Sequence, residues 1–347
     1  MPGEDDQPDI LPVGKLPPDL LGKILSRTPL KDPRVIVGPG IGLDCAVVEH
    51  GDSLLVYKIE PITFVTAEIG WYLVQVAAND IATTGATPRW LLLAALLPEG
   101  STTSALVEEL AGQVQQACEQ SGISLIGGHT EVTHGLDRPI LVGTLFGEVD
   151  RAHLVTPRGA LPGDRILLTK GVPIEATAIL AREFPDKMRG AFSPEEVAEV
   201  QNYLHQPGIS VLRDAQIAVA SGKVTAMHDP TEGGLVSALW ELAHASACHL
   251  EVDLSLVPIP SLAARVCAFF GIDPLASIAS GALLLTVSPE DAPVIGENLA
   301  QSGITCAEIG AVQAGDPEVR DRDQKLAWPT RDGIARLFES DYNTGNK

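Results

Sequence analysis

The segment of residues 227–234, Met-His-Asp-Pro-Thr-Glu-Gly-Gly, joins a strand pattern to a strong helical pattern. A strand is predicted over Val224–Met227, and a helix over Thr231–Ser246 with leucines spaced along one face. The strand therefore brings His228 and Asp229 to the N-terminus of a helix, where free backbone N–H groups favour an anion. Further along the chain, strand and helix patterns continue to alternate, which predicts an α/β protein.

Gly233 and Gly234 are unusual residues for the first turn of a helix. Each costs up to about 1 kcal/mol relative to alanine in a helix. Such a cost indicates that something approaches the backbone closely at this point. We therefore interpret residues 227–234 as a functional loop rather than an ordinary helix start.

Residues 38–46, Gly-Pro-Gly-Ile-Gly-Leu-Asp-Cys-Ala, form a second segment of this kind. Its glycines let the backbone come close to a ligand, and the backbone N–H groups could surround a phosphate. Asp44 would then face a metal ion. A simple hairpin turn with a solvated Asp44 explains the same residues equally well.

Two more segments place polar side chains beside apolar structure. Asp80 is bracketed by alanines and isoleucine in an apolar helical stretch, so its carboxylate needs a cation or several donors if it is buried. We favour a metal over a helix cap there. Residues 127–131, Gly-Gly-His-Thr-Glu, follow a short strand predicted over Ser124–Ile126 and are typical of a ligand-binding loop. His129 or Glu131 taken singly is more often structural.

The charge balance limits the partners of the chain. Lys and Arg number 24 against 45 Asp and Glu, which gives a net charge of −21 with neutral histidines. Phosphodiester backbones and anionic membranes repel so acidic a protein, so we expect no nucleic-acid partner and no membrane partner. A nucleotide would bind only with a cation, and the four segments together suggest Mg²⁺ held by carboxylates.

The length and the cysteine content of the chain predict its domain organisation and its cellular compartment. The 347 residues suffice for about two domains, with a linker at Thr156–Asp164 that predicts domains of residues 1–157 and 158–347. The first ten residues and the last thirty or so are polar and expected to be loosely held. Five scattered cysteines, no signal-peptide pattern and no long apolar run predict a cytoplasmic protein.

Five motifs together resemble the aminoimidazole ribonucleotide synthetase (PurM-like) superfamily, and within it the HypE hydrogenase maturation family and its AIR-synthase-related relatives. They read GPGIGLDCAVV, NDIATTGATP, LIGGHTE, HDPTEGGL and ASGALLL, and the resemblance runs from about residue 14 to 312. It implies a two-domain α/β (α+β) fold of mixed sheets. The N-terminal sheet would pair with its twin in a homodimer, and the C-terminal α/β domain would cover an ATP cleft.

The resemblance also implies roles for individual residues. The cofactor-binding residues would be Gly40, Gly42, Asp44, Gly127, Gly128, Thr130, Gly233 and Gly234; the metal ligands Asp44, Glu60 and Asp80; the catalytic residues Asp80, Asp229 and His129. The chain departs from the family pattern at Leu43, Glu60 and His129, where aspartate is usual. These changes would alter the metal geometry, the substrate or the catalytic competence of the site.

Members of the superfamily use ATP to activate an amide or carboxamide oxygen, or transfer phosphate to a small acceptor. The resemblance therefore implies an ATP- and Mg²⁺-dependent enzyme acting on a small substrate. The HypE family carries a reactive cysteine at its C-terminus, whereas the last cysteine here is Cys306, so we expect no self-carbamoylation at a tail cysteine. The alternatives are a phosphotransferase like thiamine-monophosphate kinase, disfavoured by Leu43 and His129, and a nucleotide-binding scaffold that docks a protein partner.

Overall fold

Runs of Val, Ile and Leu before residue 150 pair into one β-sheet, and those after residue 164 pair into another. The computed structural model describes residues 11, 16–63, 65, 67–335 and 337–338. Within these residues both sheets are mixed and carry helices, so the predicted α/β class is confirmed. Among them, no helix has the length and apolar content needed to cross a membrane.

The first sheet and its helices comprise, in chain order, α1 (Pro18–Leu25), β1 (Val35–Val37), β2 (Ala46–His50), β3 (Ser53–Ile62), α2 (Ile69–Ala82), β4 (Thr87–Pro98), α3 (Ser104–Gln120), β5 (Ser124–Thr133) and β6 (Ile140–Val149). The strand order is β1-β2-β3-β6-β4-β5. All neighbours are antiparallel except β4 and β5, which are parallel.

The second sheet and its helices comprise β7 (Arg165–Thr169), α4 (Ile174–Glu183), α5 (Pro185–Met188), α6 (Pro194–Gln201), α7 (Leu212–Ser221), β8 (Val224–His228), α8 (Gly234–Ser246), β9 (His249–Val252), α9 (Ser261–Phe270), β10 (Leu284–Val287), α10 (Ala292–Gln301), β11 (Cys306–Gln313), β12 (Glu318–Asp321) and β13 (Gln324–Lys325). The strand order is β13-β12-β9-β11-β7-β10-β8. Only β12 and β9 pair in parallel.

Helix α2 covers one face of the first sheet. It is apolar almost all round, and every residue except Trp71 is buried, because the sheet lies on one side and α3 on the other. The side chain of Gln113 on α3 accepts a hydrogen bond from Gly70 N at 3.0 Å, which fixes the two helices together. The opposite face of this sheet exposes Ile59 and Leu92, which lie in one register row.

The second sheet is covered on both faces. Alternation along β7 sends Leu168 toward α8 on one face and Leu167 toward α7 and α10 on the other. Helix α8 contributes the fully buried Leu235 and Leu239 to the first of these layers. The arrangement holds the N-terminus of α8, and with it residues 228–234, at one end of a rigid sheet.

The structure corrects two sequence-based expectations. The apolar pattern over Ser53–Tyr57 predicts a strand there, and β3 continues past it to Ile62 because it pairs with β6 from Leu54 to Ile62. The last thirty or so residues, expected to be loose, include β12, β13 and the buried Val319 and Ile334, whereas residues 1–10 and 339–347, expected to be loose as well, lie outside the described residues. The predicted domain boundary at 157/158 lies in the connection between the two sheets and stays a prediction.

Asn79 connects the two halves of the fold. Its amide nitrogen donates to Ile209 O at 2.7 Å, and its amide oxygen accepts from Val211 N at 2.8 Å. The side chain is fully buried on α2, whereas residues 209–211 immediately precede α7. The bidentate contact therefore fixes α2 against the second half of the chain.

Replacing Asn79 by leucine should lower the free energy of unfolding by about 2–5 kcal/mol, because a buried carbonyl and a buried N–H both lose their partner. Urea unfolding followed by circular dichroism measures the change. Asn298→Leu is the matched control, since Asn298 makes a single, partly buried bond to Ser221 Oγ at 2.9 Å. Equal losses in the two variants would contradict the bridging role of Asn79.

Candidate functional site

A cavity of about 470 Å³ lies where β3, α2, the segment before β2 and the loop after β8 meet. Its polar lining consists of Asp44, Lys58, Glu60, Thr63, Tyr72, Asp80, Arg138, Glu175, Thr231, Glu232 and Ser280. Asp44, Glu60 and Asp80, three of the residues predicted from sequence, are thus on one surface. Both halves of the chain contribute to this cavity.

His228 holds the carboxylates of two separate segments. Its Nδ1 lies 3.2 Å from Asp44 Oδ2, and its Nε2 donates to Glu241 Oε2 on α8 at 2.7 Å. Burial alone would lower the pKa of His228, but the two carboxylates outweigh this and raise it well above its ordinary value. A protonated imidazole is a cation, so His228 fixes Asp44 in place rather than offering a metal a lone pair.

Asp229 is the residue in the cluster that most needs a ligand. It is fully buried, and among the described residues neither of its carboxylate oxygens has a hydrogen-bond partner. Its ligand atoms lie within 4.8 Å of those of Asp44 and His228. Burial raises the pKa of Asp229 well above its ordinary value, and the negative charges of Asp80 and Asp44 add to the shift. Buried, unpartnered carboxylate oxygens beside a second carboxylate are the donor set of a hard divalent cation, so Asp44 and Asp229 fit Mg²⁺.

Lys58 occupies the other side of the acidic cluster. Its ammonium nitrogen lies 2.8 Å from Asp80 Oδ2 and 3.1 Å from Glu60 Oε2, and its side chain is 13% exposed. Burial opposes the charge, yet the carboxylates of Asp80, Asp44 and Glu60 raise the pKa of Lys58 well above its ordinary value, so it stays protonated. Asp80 and Glu60, both predicted as metal ligands, therefore already have a cation between them.

Lys58 compensates only part of the unfavourable burial of Asp80. Burial raises the pKa of Asp80 to about 7, and Lys58 offsets only part of that rise because Asp44 and Glu60 oppose it. The cluster contains five carboxylates, and Lys58 and His228 contact four of them. The residues with these carboxylates are Asp44, Glu60, Asp80, Asp229 and Glu241.

Glu175 is a second buried acid on the cavity wall. It lies in the first turn of α4, and its Oε2 accepts a hydrogen bond from Ser280 N at 3.1 Å. Burial raises the pKa of Glu175 to about 7 despite that bond. The side chain therefore holds a proton at mildly acidic pH, unlike an exposed glutamate.

The close backbone approach predicted at the glycines is made by the protein itself. A Cβ at Gly234, where φ is +63°, would lie 2.6 Å from Ser277 O. At Gly42, where φ is +70°, it would lie 2.8 Å from Glu241 O on α8. Both glycines thus allow packing between segments, and helix α8 starts at Gly234 instead of Thr231. Cofactor binding by Gly40, Gly42, Gly233 and Gly234 stays a prediction.

Residues 127–131 form a strand rather than the predicted loop, and their role in ligand binding stays a prediction. These residues continue β5, which pairs in parallel with β4 as far as Thr133. Gly128 is required there because a Cβ would lie 2.0 Å from Leu93 O on the neighbouring strand. The described residues lining the cavity include none of Gly127, Gly128, His129 and Thr130, and His129 pairs instead with Glu131 at 3.2 Å on the exposed sheet edge.

Sequence reasoning missed Lys58, Glu175 and Glu241. For Lys58 a signal was present, because positions 54, 56, 58, 60 and 62 alternate along one strand and the first two and the last are apolar. That alternation assigns Lys58 and Glu60 to the buried face. The sequence contains no comparable signal for Glu241, whose relation to His228 depends on how α8 returns past β8.

Two family models match this chain in succession. The N-terminal domain model of AIR synthase related proteins matches residues 42–149, and the C-terminal domain model matches residues 162–322. A putative hydrogenase expression/formation protein of Methanocaldococcus jannaschii is 30% identical over 266 residues, which cover 74% of this chain and 76% of the relative. The chain belongs to the AIR synthase related family. The superfamily resemblance is thereby confirmed.

Other relatives connect this AIR synthase related protein to HypE. Carbamoyl dehydratase HypE of Rhizobium leguminosarum bv. viciae is 27% identical over 264 residues, covering 75% of this chain and 72% of that protein. A solved structure of hydrogenase maturation protein HypE in complex with ATP aligns with a TM-score of 0.66 at 22% identity, over 90% of each chain. A ThiL structure complexed with AMPPCP and TMP aligns with a TM-score of 0.69 at 22% identity, over 90% of this chain and 94% of that one. The PurM-like fold is therefore established.

Replacing Glu175 by glutamine should remove a pH-dependent loss of stability. The folded-state pKa is about 7 against an ordinary value of 4.5, so the native state keeps a proton that the unfolded chain releases between these values. Wild-type stability therefore falls as the pH rises through that window, by up to about 3 kcal/mol. The glutamine variant should match the wild type near pH 4.5 and exceed it by up to about 3 kcal/mol at pH 8 in urea unfolding.

Glu297→Gln, at an exposed position on α10, is the control and should change stability little at either pH. A difference between Glu175→Gln and the wild type that is the same at pH 4.5 and pH 8 would show that charge burial at residue 175 is not its cause.

Proposed function

We propose that this protein is an ATP- and Mg²⁺-dependent enzyme that activates or phosphorylates a small substrate in the cavity beside Asp44, Asp80 and Asp229. The observation that supports it most directly is Asp229, a fully buried carboxylate with no hydrogen-bond partner among the described residues, next to Asp44. A HypE relative solved with ATP and a ThiL relative solved with AMPPCP support nucleotide as the ligand.

The residues of this chain would act by binding and positioning. Asp44 and Asp229 would hold the metal, which when bound neutralises phosphate charge and polarises the transferred phosphoryl group. His228, held by Glu241 at 2.7 Å, keeps Asp44 directed toward Asp229. Asp80 acts through Lys58, which it anchors on the cavity wall at 2.8 Å. His129 is left out of this proposal because it lies on the exposed strand β5 and pairs with Glu131.

The chain's own thiols are poorly suited to carry an acyl or carbamoyl group. All five cysteines are free, and four of them are buried. Burial raises the pKa of Cys118 and Cys306 to about 11 and that of Cys267 to about 12, and it also raises the pKa of Cys45 and Cys248. Thiols with high pKa values are weak nucleophiles at neutral pH. A separate small molecule or protein group is therefore the acceptor that we propose.

Asp229→Asn should reduce ATP turnover by about 10²-fold or more, because it removes a charged group that would position the metal in the transition state. Phosphate release from Mg·ATP measures turnover, and calorimetry measures Mg·ATP binding. Asp186→Asn, at an exposed ion pair with Arg189, is the control and should behave as the wild type.

Two outcomes would contradict the proposed enzymatic function. Tight Mg·ATP binding with neither phosphate release nor phosphate transfer to candidate acceptors would leave the nucleotide-binding scaffold that docks a partner. Absence of binding to both ATP and ADP would remove enzyme and scaffold together. Phosphate transfer to an acceptor without net hydrolysis would select the kinase-like alternative.

We also propose a homodimer formed through the first sheet. Strand β5 is its edge, and nine of its ten residues are exposed, including Leu125, Ile126 and Val132. The same sheet exposes Ile59 and Leu92 on the face opposite α2. A long apolar edge strand next to an uncovered sheet face favours pairing with a second copy.

Ile126→Glu should convert the dimer to a monomer, because it places a charge in the apolar part of the proposed interface. Light scattering after size-exclusion chromatography measures the mass. Val294→Glu, at a residue of α10 that is 46% exposed, should leave the mass unchanged. A monomeric wild type would refute the dimer without affecting the proposal for the cavity.

A further inference from the structure

Lys58 stands on the side of β3 where a charge is least expected. Its register partners are Leu145 on β6 and, one strand further, Leu91 on β4, and both are fully buried. Its neighbours two residues away are the buried Val56 and the half-buried Glu60. A lysine on this face is retained at the expense of desolvating its ammonium, so the carboxylates around it must compensate.

The ammonium lies between two of the three acids that the family resemblance implies as metal ligands. It is 2.8 Å from Asp80 and 3.1 Å from Glu60, and Asp80 is 3% exposed. Both contacts are close ion pairs. A magnesium ion between the same two carboxylates would require oxygens at about 2.0–2.1 Å, in the space that the ammonium occupies. Two cations a few ångströms apart in a buried site repel strongly.

The pair Asp44 and Asp229 differs from the pair Asp80 and Glu60 in its access to a cation of the protein. Asp44 and Asp229 lie together on the other side of the cluster, and the cation beside them, His228, contacts Asp44 and Glu241 but makes no hydrogen bond to Asp229. The protein therefore supplies its own cation for Asp80 and Glu60 and leaves the oxygens of Asp229 to be satisfied from outside.

We propose that Lys58 is a resident cation that replaces a divalent metal between Asp80 and Glu60, so that this chain binds one divalent ion fewer than these acids could hold. The inference deepens the proposed function, on which the metal at Asp44 and Asp229 rests. Lys58 also lines the cavity, so its ammonium supplies charge to a bound phosphate in place of the missing ion. The ammonium of Lys58 carries one positive charge where a divalent ion carries two. The lower charge suits a site in which Leu43 stands in place of an aspartate and so removes one negative charge.

A purely structural lysine–aspartate pair offers the natural comparison. Lys170 lies 3.2 Å from Asp214, and both side chains are buried. Lys170 also donates to Ser210 O, and neither residue lines the cavity. Lys170→Met therefore removes a buried ammonium from a carboxylate without touching the acidic cluster, and it serves as the matched control for Lys58→Met.

The test counts bound Mn²⁺ per chain on the full-length protein, from the loss of the free Mn²⁺ EPR signal, with and without AMPPCP. Lys58→Met should bind one Mn²⁺ more than the wild type, at least tenfold more tightly than any further ion. Lys58→Arg and Lys170→Met should keep the wild-type number. An unchanged number in Lys58→Met would overturn the proposal.

If Lys58→Met does not fold, a second variant tests whether Lys58 or a metal ion contacts Glu60. Glu60→Gln keeps Lys58 in place, and because Lys58 rather than a metal contacts residue 60, the Mn²⁺ number should stay that of the wild type. Loss of one Mn²⁺ in Glu60→Gln would overturn the proposal. In folded Lys58→Met, adding Glu60→Gln and Asp80→Asn should abolish the extra ion, and its persistence would place that ion elsewhere and overturn the proposal.

The two proposals fail in different ways. A wild type that binds neither Mn²⁺ nor AMPPCP refutes the proposed function, while a gain of one ion in Lys58→Met still supports the role of Lys58. A wild type that turns over Mg·ATP but loses one Mn²⁺ on Glu60→Gln retains the function and refutes the resident cation.

Discussion

Buried negative charge governs this structure. Carboxylates of Asp44, Asp80 and Asp229 come together in a region where two of the three are almost inaccessible to water. Burying a charge is strongly unfavourable unless a counter-charge or donors accompany it. The fold supplies two such cations, Lys58 from β3 and His228 from β8, and their contacts with the acids determine how the surrounding segments can lie.

The acidic cluster joins the two halves of the chain, which also share one hydrophobic core cluster. Asp44 and Asp80 belong to the first half of the chain, and Asp229 and Glu241 belong to the second. His228 contacts Asp44 and Glu241 at once, and Gly42 allows its segment to lie against the backbone of Glu241. Asn79, next to Asp80 on α2, is hydrogen-bonded to Ile209 O and Val211 N of the second half. A ligand that neutralises the cluster would therefore strengthen contacts between both halves of the chain.

The departures from the family motifs have a physical consequence when they are considered together. A longer acid at Glu60 reaches the ammonium of Lys58, and Leu43 removes a carboxylate beside Asp44. Both changes lessen the number of oxygens available to metal ions. The histidine of the Gly-Gly-His-Thr segment lies on an exposed strand paired with Glu131, so its effect within one chain is confined to the sheet edge.

The sequence alone determined the α/β class, the family and three of the acids that line the cavity, Asp44, Glu60 and Asp80, because strand and helix periodicities and short ordered motifs are local properties of the chain. It also placed Asp229 at a strand-to-helix turn. Only the tertiary structure decided which acid receives which cation, because Lys58, Asp80 and Asp229 are brought together by the pairing of β3 with β6 and of β10 with β8. Likewise, the two glycines of β5 suggested a loop, and only the tertiary structure shows that the strand continues through Gly127–Thr133. Its pairing with β4 depends on hydrogen bonds to residues more than thirty positions away.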